Sequence, residues 1–140
     1  MAEGLILDSE AINALANPTR RRALADRSRA ILTIAHERRA LVRVPAPVLA
    51  EVCRGPRFDA TINQVLNGRG IGVIALDRAI AQRAGGLLAK HKLGSKHAVD
   101  AFVVASAMEF ESAVIATGDA DDMRRLTPSG RRLRVFSLSK

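Results

Sequence analysis

The chain has 140 residues, a length that suits one domain burying roughly two-thirds of its unfolded surface without staples. Hydrophobic residues at 48% and charged residues at 26% exclude a disordered chain, while 10 Gly without a period and a single Cys exclude collagen-like and disulfide-framework classes. The net charge of +8 favours an anionic partner, whether nucleic acid, acidic protein or membrane surface, but names no chemistry.

In chain order, Leu5-Ile6-Leu7 is an apolar run ending at Asp8 and predicts a buried strand. Ser9 is placed to cap a helix carrying Ile12 and Leu15, which stops at Asn17-Pro18. A second helix is expected from Thr19 to about His36, with Leu24, Ile31 and Leu32 on one face and arginines elsewhere. Leu41 to Val44 predicts a strand, punctuated by Pro45 and Pro47, and Val48 to Cys53 a short apolar helix. Gly55-Pro56 breaks that helix, and a polar one runs on towards Asn67-Gly68. Ile71 to Ala75 is the third strand, and Asp77 caps a helix to about Lys90. A basic loop from Lys90 to Lys96 leads into a very apolar helix from about Ala98 to Phe110. Ala113 to Ala116 is the fourth strand, followed by Thr117-Gly118-Asp119, and Leu133 to Phe136 predicts an edge strand.

Strands that are near-continuous apolar runs, without alternation, have both faces covered. With helices between them, the economical solution is a three-layer α/β fold: one central, mostly parallel sheet of four or five strands flanked by helices. No internal repeat, linker or low-complexity segment divides residues 1–140, so a single domain is expected. Cys53 has no partner for an internal disulfide, no apolar run approaches the ~18 residues of a membrane helix, and the first residues do not read as a signal peptide. A cytoplasmic protein without a membrane partner is the expectation.

Ligands of open parallel sheets bind beyond the carboxyl ends of the strands. Asp8 follows the first strand and Asp119 the fourth, although either alone is explained as a helix cap. Glu51 is the lone charge in Pro47–Cys53, and Asp100 is the lone charge in Ala98–Met108. A helix apolar all round is a buried helix, and a carboxylate in it is costly unless paired or bound to a metal. A buried ion pair with one of the arginines is therefore the structural alternative. Acids converging on one cleft raise one another's pKa, and a bound cation reverses that penalty. All-oxygen ligation suits Mg²⁺ or Mn²⁺, which can activate a water and neutralise charge at a scissile phosphate.

The segments 5–12 around Asp8, 45–52 around Glu51, 96–107 around Asp100 and 114–123 around Asp119 together resemble a PIN domain. Within that family the resemblance is to the VapC-type toxins of bacterial toxin–antitoxin pairs. It implies a Mg²⁺-dependent endoribonuclease, Mn²⁺ being an alternative, in which Asp8, Glu51, Asp100 and Asp119 hold the metal. Of the two acids that follow, Asp121 is the choice for an additional ligand, with Asp122 as a cap of the next turn. Ser9 and Thr117 match small hydroxyl positions that order the carboxylates or a water. The resemblance further implies an RNA substrate, a cognate antitoxin that occludes the cleft, and a homodimer within a higher toxin–antitoxin assembly.

Other features weigh less. Cys53 with His36, His91 and His97 shows neither zinc-ligand spacing nor a nucleophile–base pair, and His97, one turn before Asp100, reads as a solvated helix start. Gly68-Arg69-Gly70 and Gly85-Gly86 match no phosphate-binding fingerprint. The basic clusters Arg20–Arg22, Arg124-Arg125 and Arg131–Arg134 supply the electrostatic footprint of an RNA binder. With no Trp or Tyr and four Phe, base stacking is a minor contribution. Two competing readings are a catalytically silent PIN-like binding module and a phospho-receiver domain. The latter is disfavoured by the strongly basic sequence pI of about 11.2.

Overall fold

The computed structural model describes residues 3–130 and 132–139, so Arg131 of the last basic cluster lies outside the described residues. Strands β1 (Glu3–Leu7), β2 (Leu41–Pro45), β3 (Gly72–Ile74), β4 (Ser112–Thr117) and β5 (Leu133–Ser137) form one sheet in the order β3-β2-β1-β4-β5. Every pairing is parallel. The expected α/β layering is present, with five strands and no antiparallel member.

Helices α1 (Ser9–Ala16), α2 (Arg22–Glu37), α3 (Ala46–Val52), α4 (Pro56–Gly68), α5 (Arg78–Lys90), α6 (Ala98–Ala107) and α7 (Ala120–Leu126) connect and cover the strands. The core is built from the central strands and α6. Ile6, Leu7, Val44 and Ile115 are fully buried, as are Val103 and Val104 of α6 and Leu32 of α2. Burial at Ala101, Val103, Val104, Ala105, Ser106 and Ala107 runs around α6 rather than along one stripe, as its composition predicts.

Three boundaries differ from expectation, each for a local reason. Asp8, not Ser9, caps α1: its Oδ1 accepts the backbone N–H groups of Glu10 at 3.0 Å and Ala11 at 3.2 Å. The second helix begins at Arg22 rather than Thr19, after a turn closed by the Arg20 N–H on the Asn17 carbonyl. The third strand shrinks to Gly72–Ile74, and as a sheet edge it leaves Val73 47% exposed.

Chain order and sheet order diverge at β1. The chain steps outward from β1 to β2 and β3, then returns to the other side of β1 with β4 and β5. This reversal opens a crevice beyond the carboxyl ends of β1 and β4. Leu7 and Ala116 pair there, so Asp8, just past β1, and Thr117, the last residue of β4, stand side by side. At the amino end of the strands, a groove of about 660 Å³ runs between α2 and β1, β4 and β5, its lining mixed between apolar residues such as Ile34 and Leu133 and charged ones such as Glu3, Arg38 and Arg134. It is well removed from the carboxyl ends.

Candidate metal centre

Asp8 lies at the floor of the crevice, 7% exposed. Its backbone N–H donates to the Ala116 carbonyl at 3.2 Å, tying the end of β1 to β4. Its carboxylate receives the two cap bonds from α1 and a hydrogen bond from the Thr117 side chain. Even so, burial pushes its pKa up to about 6, because desolvation outweighs those three donors. The cap and the site are one residue: capping fixes the carboxylate where the crevice begins.

Thr117 is fully buried. Its Oγ1 accepts the Asp119 N–H at 3.0 Å while its hydroxyl serves Asp8, so one side chain sets the positions of two acids. Ser9, the first residue of α1, is half-buried beside them. Asp100 occupies the first turn of α6, at the positive end of the helix dipole. Desolvation, followed by the charges of Asp119, Asp122 and Glu51, pushes it up to about 6, with His97 opposing. Asp119 is raised chiefly by the hydrogen bond it shares with the Asp122 carboxyl.

One expectation changes and one alternative falls away. Glu51 is exposed, not buried: α3 turns only Val48 and Val52, four residues apart, into the core. Its charge still reaches Asp100 from the rim. No ion pair among the described residues engages Asp8, Glu51, Asp100 or Asp119, so the arginine-paired alternative is not what the fold builds.

At the head of α7 the geometry separates the two neighbouring acids. Asp121 points outward, its side chain 96% exposed and 3.6 Å from Arg124. Asp122 points inward to Asp119 and Asp100, and also lies 3.5 Å from Arg125. Successive residues on a helix face directions about 100° apart, so only one of the pair can enter the crevice.

Ligand atoms of Asp100, Asp122 and His97 all lie within 4.8 Å of one another. The residues fit a divalent cation: three half-buried candidate ligands converge, and neighbouring acids raise the pKa values of Asp100 and Asp119, a penalty that a cation would reverse.

Glu10 is a further acid here that sequence reasoning missed. Its carboxylate lies over Gly118, where any Cβ would collide with it, and Arg21 Nη2 holds it at 3.7 Å. Its charge also bears on Asp8 and Asp119. The glycine between Thr117 and Asp119 was its only sequence signal. Cys53 is poorly suited to nucleophilic attack, since burial and the Asp59 charge push its thiol up.

The family model of the PIN domain matches residues 5–127. Among solved structures the chain is similar to the crystal structure of VapBC2 from Rickettsia felis bound to a DNA fragment from their promoter. The two share 15% identity and a TM-score of 0.67, over 96% of this chain and 99% of that one. At that identity the likeness speaks for the fold. No match is found among curated proteins.

Proposed function

The chain belongs to the PIN domain family, and from that premise we propose that it is a divalent-metal-dependent endoribonuclease acting as the toxin of a VapBC-type pair. The observation that carries this is the gathering of Asp100, Asp119 and Asp122 near Asp8 at the switch point of the sheet, with Glu51 at the rim, where among the described residues only Asp122 meets an arginine.

A bound Mg²⁺ or Mn²⁺ would supply an activated water and offset charge at a scissile phosphate. Asp100 and Asp122 are the acids best placed to hold it, with Asp8 and Asp119 beside them. Thr117 orients Asp8 and Asp119 through the two hydrogen bonds of one hydroxyl. Glu51 extends the negative rim across the crevice. The exposed arginines Arg20–Arg22, Arg124 and Arg125 hold an RNA backbone by charge rather than by base stacking. A net charge of +8 also suits an acidic antitoxin covering the crevice. Fold likeness to VapBC2 supports that partner, and a homodimer inside a larger cytoplasmic assembly goes with the same reading.

The test uses antitoxin-free protein and total bacterial RNA with Mg²⁺, Mn²⁺ or EDTA, and Asp100→Asn beside the wild type. Discrete products requiring both metal and Asp100 are expected. RNA binding that persists in EDTA, with no product under any condition, would replace the enzyme with a binding module.

A further inference from the structure

We propose that His97 is a nitrogen ligand of the metal centre, making the site selective for a first-row transition ion such as Mn²⁺ over Mg²⁺. This rests on the reading of the acidic crevice as a metal centre and adds a ligand that is not a carboxylate.

The placement follows from local structure. Ser95–His97 form a 3₁₀ turn that runs without a break into α6 at Ala98. His97 therefore stands three residues before Asp100 in nearly helical geometry, and side chains at that spacing share a face. The face is the one turned to the crevice: one His97 nitrogen, one Asp100 oxygen and one Asp122 oxygen lie mutually within 4.8 Å. Ligands about 2.1 Å from a common ion sit roughly 3–4.2 Å apart, so small side-chain rotations close the set.

The imidazole is also uncommitted. The backbone N–H of His97 donates to the Gly94 carbonyl at 3.1 Å, and among the described residues no hydrogen bond or ion pair engages its imidazole. It is half-buried, not solvated as the start of a helix commonly is. The other two histidines are placed differently, His36 on the exposed side of α2 and His91 at the end of α5.

Ligand chemistry then sets the preference. Mg²⁺ demands oxygen ligands in near-ideal octahedral geometry and keeps several waters. Exchanging one oxygen for an imidazole nitrogen weakens the site for Mg²⁺ relative to transition ions, which gain from the softer donor.

The experiment uses the full chain stripped of metal, with Mn²⁺ as the probe. Electron spin echo modulation of the Mn²⁺ complex reads directly bonded ¹⁴N, while titration with Mn²⁺ and with Mg²⁺ reads affinity. Expected are ¹⁴N modulation in the wild type and its loss in His97→Gln and His97→Ala. In both variants the ratio of Mn²⁺ to Mg²⁺ affinity falls by about tenfold, on the scale of losses seen when a metal site's supporting groups are removed. Circular dichroism confirms the fold of each. A wild-type complex without ¹⁴N modulation overturns the proposal and leaves His97 as a proton donor to substrate at most. An equal loss of affinity for both ions overturns it as well. Asp100→Asn separates the underlying reading, because unchanged Mn²⁺ affinity there would remove the acidic centre itself.

Discussion

Replacing Asp8 by Asn asks whether the crevice is built for a cation at the expense of the empty protein's stability. Burial raises the Asp8 pKa from 3.8 to about 6. The folded state therefore binds a proton that the unfolded state has already released over that interval. The favourable contribution is complete below pH 3.8 and is lost as pH rises through about 6. At 1.36 kcal/mol per pKa unit, the roughly 2-unit displacement makes the ionised Asp8 cost about 3 kcal/mol at neutral pH without metal. An Asn Oδ1 can still accept the Glu10 and Ala11 N–H groups, so the cap survives while the charge goes. Metal-free Asp8→Asn should be more stable than wild type by ~1–3 kcal/mol at pH 7.5, or ~3–9 °C in Tm, and the gap should close at pH 4. Adding Mn²⁺ at pH 7.5 should raise the wild-type Tm and leave the variant nearly unmoved. Urea and thermal melts, with and without 1,10-phenanthroline or EDTA, measure both. A variant less stable than wild type in the metal-free state at pH 7.5 would refute the reasoning. So would equal Mn²⁺ stabilisation of the two proteins.

Asp122→Ala should weaken Mn²⁺ binding by about tenfold or more while Asp121→Ala changes it less than twofold, because only Asp122 faces Asp100; isothermal titration of the two variants decides it. Gly118→Ala drives a Cβ into the Glu10 carboxylate, the end of a flexible side chain that can swing aside, and should cost less than ~1 kcal/mol in urea unfolding. Glu10→Ala in the same chain should return most of that loss, and a double-mutant cycle with no coupling would contradict the packing described. Leu32→Ala, at a fully buried position of α2, should cost ~2–5 kcal/mol without changing the metal affinity of the distant crevice, as paired urea and Mn²⁺ titrations would show.

Much of this molecule is legible along the chain. Near-continuous apolar runs at 5–7, 41–44 and 113–116 became strands because such segments can satisfy both faces of a covered parallel sheet. Asp8 and Asp119 follow strands, and strand ends are where such sheets bind ligands, so their candidacy needed no coordinates. Asp100 stood out because a charge in so apolar a helix demands a reason.

Other features depend on distances through space, which local pattern does not encode. Only the strand order β3-β2-β1-β4-β5 brings the ends of β1 and β4 together, although more than a hundred residues separate them in the chain. The phase of α7 turns Asp122 rather than Asp121 towards Asp119, a rotation of one residue that its capping pattern does not reveal. Glu51 is exposed because α3 lies on the sheet's end with one stripe, whereas its composition suggested burial all round. Glu10 over Gly118 and His97 beside Asp122 each join residues from separate elements. Periodicity and residue type determine which segments become strands and helices, since those are near-neighbour effects. Which carboxylates come together is decided by how the crossovers close, because electrostatic neighbours are set by packing and not by position in the chain.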